Sequence, residues 1–144
     1  MIWRAALTAA GFDADRPTAW IAEDLLSFLP PDAQDRLLDN ITALSADGSR
    51  LMAEIFWNSP EAQQIMQAAN QEWYEHGLDV ELDKLGYPGH RNDVAIHLDQ
   101  RGWSTLRTPA SQLLSDAGLP VPPRTDSEVS LADIYYCTAV LGAP

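Results

Sequence analysis

The run Thr18-Ala19-Trp20-Ile21-Ala22 is compact and mostly apolar, and it ends abruptly in acid at Glu23-Asp24. Its length and composition predict a strand buried on both faces, as in a parallel sheet. Pro17 sits just upstream and forces Arg16 out of the α region into an extended approach. The acidic pair then falls at the carboxyl end of the strand, where open α/β sheets bind their ligands. Downstream, Pro30-Pro31-Asp32 opens a helix, with proline near its first position and an acid at the positive end of the dipole. Leu37, Leu38, Ile41 and Leu44 repeat at helical spacing toward Gly48 and predict an apolar stripe laid over the sheet. Leu51 to Trp57 is a second buried-strand candidate that also closes with an acid and aromatics, so a βαβ unit is the simplest reading.

The flanking sequence extends this pattern. Arg4 to Ala10 is rich in helix formers and is followed by Gly11, suited to a helix C-cap. Ser59-Pro60-Glu61 opens an amphipathic segment to about Glu75, carrying Ile65, Met66, Ala69, Trp73 and Tyr74, and predicts a lid helix. Gly77 to Tyr87 reads as a loop and short helix, and Asn92-Asp93 caps a helix running toward Gly102. Trp103 to Thr108 is a strand, Pro109 to Leu119 a helix, and Pro120-Val121-Pro122-Pro123 a breaker. Ile134 to Leu141 is rich in β-formers and predicts a final, antiparallel strand. The sequence holds no internal repeat and no low-complexity tract.

Composition narrows the function classes. At 144 residues and 46% hydrophobic, the chain can bury one core. Nine basic against 21 acidic residues give a net charge of -12, which repels a phosphate backbone, so nucleic acid and anionic membrane are disfavoured partners. Neither a membrane-length apolar run nor a signal-peptide core is present, which predicts a cytoplasmic protein. The single cysteine, Cys137, cannot form an internal disulfide, and three scattered histidines offer no zinc-ligand spacing, so no metal is expected.

A longer match carries more weight. Trp3-Arg4-Ala5-Ala6-Leu7, Ala10-Gly11-Phe12-Asp13 and Arg16 through Pro30 resemble a signature segment of a methyltransferase family abundant in mycobacteria and other actinobacteria, commonly WxxALxxAGFDPxxPTAWLAEGLLxYLP. Agreement continues through Ala33 to Leu37, Ile41 to Ser45, Gly48 to Leu51, Gly77 to Val80, Gly102-Trp103 and Tyr136 to Ala139, nearly the whole chain. The family is that of leucine carboxyl methyltransferase-like proteins dependent on S-adenosyl-L-methionine (SAM). The resemblance implies an α/β chain that forms the C-terminal half of a class I (Rossmann-like) methyltransferase domain over residues 1–144. That half is a partial sheet, mostly parallel with an antiparallel final strand, with helices on both faces and cap helices at about 59–90.

The resemblance also implies SAM as cofactor, with Ala22, Glu23, Asp24 and Leu25 on its binding side and Glu23 near its amino-acid moiety. The family's glycine-rich SAM loop and its ribose and adenine acids would precede Met1, so the chain is expected to be truncated and to lack most of the SAM site. Asp24 stands where the family usually has glycine, and Phe28 where it usually has tyrosine, which removes a freely approachable backbone and a phenol hydroxyl.

Other candidates rest on residue type. Phe28, Trp57, Tyr74 and Tyr87 are candidates for a substrate wall, against the plainer alternative of core packing; Trp73 shares that choice. Arg91 could pair with a substrate carboxylate through its planar fork, or form an ordinary salt bridge with Asp93 or Glu75. His76, His90 and His97 share no motif, and His97 reads as packing or surface. No catalytic residue is assigned, because a carboxylate acceptor is already nucleophilic at neutral pH. Cys137 reads as an inert buried thiol. The leading expectation is an O-methyltransferase acting on a small-molecule acceptor, with carboxyl methylation as one form. The rival is a non-catalytic binding subunit or remnant that self-associates, as a homodimer through the exposed strand edge near residues 18–22, or pairs with a missing half.

Overall fold

The structure is a computed structural model that describes residues 2–55, 71, 73–77, 86–87, 90–121 and 134–142. Helix α1 (Ile2–Ala9) stops where Gly11 turns left-handed at φ 91°, and the Phe12 amide donates back to the Leu7 carbonyl at 3.0 Å. Strand β1 (Ala19–Ala22) follows, and the three-residue 3₁₀ turn Leu26–Phe28 leads into helix α2 (Pro31–Ala43), with proline in its first turn. Strand β2 (Arg50–Ile55), helix α3 (Val94–Asp99), strand β3 (Trp103–Pro109), helix α4 (Ala110–Asp116) and strand β4 (Tyr135–Leu141) complete the described elements. Asp93 caps α3, its carboxylate accepting from the Ile96 amide at 2.9 Å.

The four strands form one sheet in the order β1-β2-β4-β3. β1 pairs parallel with β2, in a register that sets Ala22 beside Ala53, and α2 makes the crossover between them. The expected βαβ unit is therefore present. β4 inserts between β2 and β3 and runs antiparallel to both. Because both neighbours oppose β4, strands β1, β2 and β3 share one direction, yet two of the three ladders are antiparallel. The final strand is antiparallel as expected, but because it lies between β2 and β3 the expectation of a mostly parallel sheet is corrected at the level of pairing, with one parallel ladder among the three described.

Register sorts the side chains cleanly. Ala22, Leu51, Ala53, Cys137, Ala139 and Trp103 face one side, where Leu38 and Ile41 of α2 and Val94, Ala95 and Leu98 of α3 complete the core. On the opposite face no described residue is buried; Ile21 is 69% exposed and Leu106 64%. The reading of residues 18–22 as buried on both faces is therefore overturned. The residues on its open side, Ala19 and Ile21, are both apolar, so the alternation is invisible in composition. Helices on both faces likewise go beyond what the described residues show, since α2 and α3 cover a single side.

Two indoles fix α2 on that side. Trp20 of β1 donates through Nε1 to Ser45 Oγ at 2.8 Å, and Trp103 of β3 donates to Thr42 Oγ1 at 2.9 Å. Both hydroxyls donate in turn to carbonyls four residues back, Ile41 and Leu38. The two outer strands of the described sheet thus grip the last turn of α2 at Thr42 and the residue just past its cap, Ser45, and each indole N–H is satisfied.

A polar seam joins α2 to α3. His97, only 6% exposed, places Nε2 2.9 Å from Asp39 Oδ1 and Nδ1 3.6 Å from Asp35 Oδ1. Arg101 also pairs with Asp39, while Asn92 donates to Asp35 Oδ2 at 2.6 Å. Burial raises the Asp39 carboxyl, but its hydrogen bonds from His97 and Arg101 outweigh that and hold it below its ordinary value of 3.8. A carboxylate depressed in the folded state stabilises above its unfolded value, and that contribution disappears as pH falls through the folded one. Asp39→Asn is expected to flatten the loss of stability below about pH 4, read as the urea midpoint against pH; an acid limb as steep as the parent's would contradict this.

Candidate functional site

The site is built where β1 and β2 end. Because they run parallel in the Ala22–Ala53 register, both carboxyl ends emerge on the same edge of the sheet, with Glu23 and Asp24 beside Glu54. Asp24 adopts φ 48°, the left-handed region that favours glycine, and it is the only non-glycine among the described residues to do so. Its amide donates to Glu54 Oε2 at 3.1 Å. Glu54 is also the cross-strand partner of Tyr136 on β4. Burial first, and then the charges of Glu54 and Glu23, push the Tyr136 phenol up from its usual pKa. Glu23, Asp24, Glu54 and Tyr136 therefore converge on one strand-end cluster, with Ala22 buried beneath it and Leu25 exposed beyond it.

The sequence pointed to Glu23 and Asp24 directly. Glu54 was visible only as the acid closing the second strand, and Tyr136 not at all, because its membership depends on β4 entering the sheet next to β2. Three carboxylates, a protonated phenol and a small buried alanine suit a cationic ligand group such as an ammonium or sulfonium, and oppose a phosphate. The ammonium at the aminoacyl end of SAM would suit these acceptors. The chain offers no glycine-rich strand-to-helix loop for the remainder of such a ligand.

The other candidates fall in several places. Phe28 closes the 3₁₀ turn, partly buried, on the loop that continues from the acidic cluster. Tyr87 is half exposed, and Tyr74 is 65% exposed in a short helical stretch with Trp73 and Glu75. Trp57, like most of the expected cap at 59–90, lies outside the described residues. Arg91 takes neither of its expected ion pairs. Asp93 pairs with Arg107 at 2.5 Å, and the Arg91 guanidinium points at backbone carbonyls of residues 26, 27, 29 and 87. His97 belongs to the α2–α3 seam, and His76 and His90 are exposed. Cys137 is fully buried, and burial pushes its thiol up to about 11, as an inert thiol requires.

Comparison with known proteins bears on the family. A family model described as leucine carboxyl methyltransferase matches residues 1–42, which span α1, β1, the acidic cluster's first two members and nearly all of α2. A Mycobacterium avium (strain 104) protein named "Putative S-adenosyl-L-methionine-dependent methyltransferase" is 57% identical over 139 residues, covering 96% of this chain and 45% of the relative. The chain belongs to the leucine carboxyl methyltransferase-like family. Relatives of the same name include one from Mycolicibacterium paratuberculosis, 56% identical over 96% of this chain and 46% of its own length, and one from Mycobacterium ulcerans, 51% identical over 98% and 47%. The chain spans about half the length of the curated relatives it matches.

Within this family's segment the left-handed residue is Asp24, where glycine would carry no Cβ penalty. Asp24→Gly keeps the amide that Glu54 accepts and relieves the strained conformation. It is expected to raise unfolding stability by about 0.5–1 kcal/mol, less than the full left-handed penalty because glycine also frees the unfolded chain. Urea denaturation checks this, and a destabilised variant would show that the Asp24 side chain makes a contact worth more than the strain.

Proposed function

We propose that the chain contributes to SAM-dependent transfer of a methyl group to an oxygen of a small molecule, with a carboxylate as the acceptor. The observation that carries this reading is the convergence of Glu23, Asp24 and Glu54 at the carboxyl ends of two parallel strands. SAM would supply an electrophilic methyl on a sulfonium. Glu23 would hold its ammonium through a charge-assisted hydrogen bond, with Ala22, Asp24 and Leu25 forming the adjoining wall. Phe28, Tyr74 and Tyr87, with Trp57, would form the apolar wall on the acceptor side, and cap segments at about 59–90 would enclose it. A carboxylate acceptor needs no base, so these residues would act by orienting the two reactants and excluding water. The reaction suits a cytoplasmic protein, the compartment expected from the sequence. Among the described residues no helix is long and apolar enough to cross a membrane.

A second reading is favoured by one specific observation. β1 is an edge strand with one side unpaired among the described residues, and its Ile21 is largely exposed. Such an edge invites pairing, and a second copy of this chain could add its own residues 18–22 along it, making the chain a non-catalytic, self-associating subunit.

Calorimetric titration of SAM into the chain and its Glu23→Gln variant distinguishes the readings. On the first, Glu23→Gln weakens binding roughly 10- to 100-fold, the worth of one hydrogen bond to a charged group. Equal affinity in both proteins would remove Glu23 from the site. No heat at millimolar SAM, together with a dimer on size exclusion that an Ile21→Lys substitution dissolves, would replace the enzyme reading with the second.

A further inference from the structure

The loop that leaves the acidic cluster is short and has few bonds of its own. After Leu25 it makes a single 3₁₀ turn, with the Phe28 amide donating to Leu25 O at 3.1 Å and the Leu29 amide to Leu26 O at 3.2 Å. A turn of this kind leaves its last carbonyls without helical partners. In this protein one side chain distant in sequence gathers the carbonyls of Ser27 and Leu29, together with that of Leu26, which already accepts from the Leu29 amide. Arg91 Nη1 donates to Leu26 O at 3.1 Å, and Nη2 faces Ser27 O at 3.2 Å and Leu29 O at 2.5 Å. The same Nη2 lies 3.3 Å from Tyr87 O, in the segment leading to Arg91.

We propose that Arg91 is a positioning residue whose guanidinium clasps the turn after β1 to the Tyr87 backbone, setting Leu25 and Phe28 relative to Tyr87. The fork geometry explains the choice of residue. Five N–H groups in a fixed plane can serve carbonyls from two segments at once, whereas a lysine ammonium has three donors at a single point. The positive group also sits against the negative, carbonyl end of the turn. The backbones are close on the far side as well: a Cβ added to Gly86 would lie 3.7 Å from Ser27 O. Arg91 Nε is buried without a partner among the described residues, a desolvation cost that the structure accepts while four carbonyls hold the two nitrogens beyond it. The guanidinium is thus committed to the scaffold, and a substrate carboxylate would have to displace these contacts to reach it.

The functional half of this inference rests on the methyl-transfer reading, in which the turn and Tyr87 border the two reactants; the clasp itself does not. Hydrogen exchange on the full chain tests the clasp alone. In Arg91→Ala the Phe28 and Leu29 amides should exchange about tenfold faster or more, the equivalent of one lost hydrogen bond, with Cys137 and Ala139 in the sheet unchanged. Millimolar ethylguanidinium should restore their protection, a rescue that lost stem packing would not show. Should Arg91→Ala fail to fold, Arg91→Lys carries the test, with the same local loss expected against an intact sheet. Unchanged protection of Phe28 and Leu29 in a folded variant would overturn the proposal. A parallel SAM titration should find about tenfold weaker binding in Arg91→Lys than in the parent. If the parent binds no SAM, the methyl-transfer reading fails while the exchange result still decides the clasp.

Discussion

The parallel ladder between β1 and β2 is the constraint on which the site depends. Parallel neighbours need a crossover, and α2 provides it while lying against the face that carries Leu51, Ala53 and Cys137. Its position is not left to apolar contact alone, because Trp20 and Trp103 hold Ser45 and Thr42 from opposite edges of the sheet. With α2 fixed, Ala22 must lie beside Ala53, and the residues just beyond those alanines must meet. The bond from the Asp24 amide to Glu54 follows from that register.

This arrangement concentrates negative charge at one end of the sheet. Burial first, and then the charges of Glu54 and Glu23, push the Tyr136 phenol upward; Asp24 stands beside them, and no described basic side chain bonds to the three acids. Carboxylates brought together this way cost energy unless a cation or solvent offsets them. Functional sites commonly retain such cost, and the left-handed Asp24 in the same place is a second sign of it. By contrast, Asp39 is paired with His97 and Arg101, and Asp35 accepts from Asn92 through Oδ2, so these acids lie in contacts that join two helices.

Much of the fold was legible because the chain is well punctuated. Pro17 and the Glu23-Asp24 pair bracket β1, Pro30-Pro31-Asp32 starts α2, Asp93 caps α3, and Gly11 and Gly102 mark ends with positive φ. What the sequence hid is what depends on tertiary register. Nothing in Ile134 to Leu141 reveals that β4 enters between β2 and β3, so Tyr136 could not be placed beside Glu54. The open face was hidden because Ile21 and Leu106 are apolar yet exposed. His97 and Asp39, 58 positions apart, carry no local pattern. Arg91 showed its charge but not its carbonyl partners, since a backbone clasp leaves no side-chain signature at the other end. The family resemblance supplied what periodicity could not, namely the expectation that the acid-tipped strand borders a cofactor.

Amide chemical-shift mapping by NMR, with SAM added to the isotopically labelled chain, addresses that last point most directly. Shifts centred on Ala22 to Leu25, with Glu54 and Tyr136 responding together, are the predicted result. A bound ligand that leaves those amides unmoved, or moves only residues of the α2–α3 seam, would contradict the placement of the site at the ends of the parallel strands.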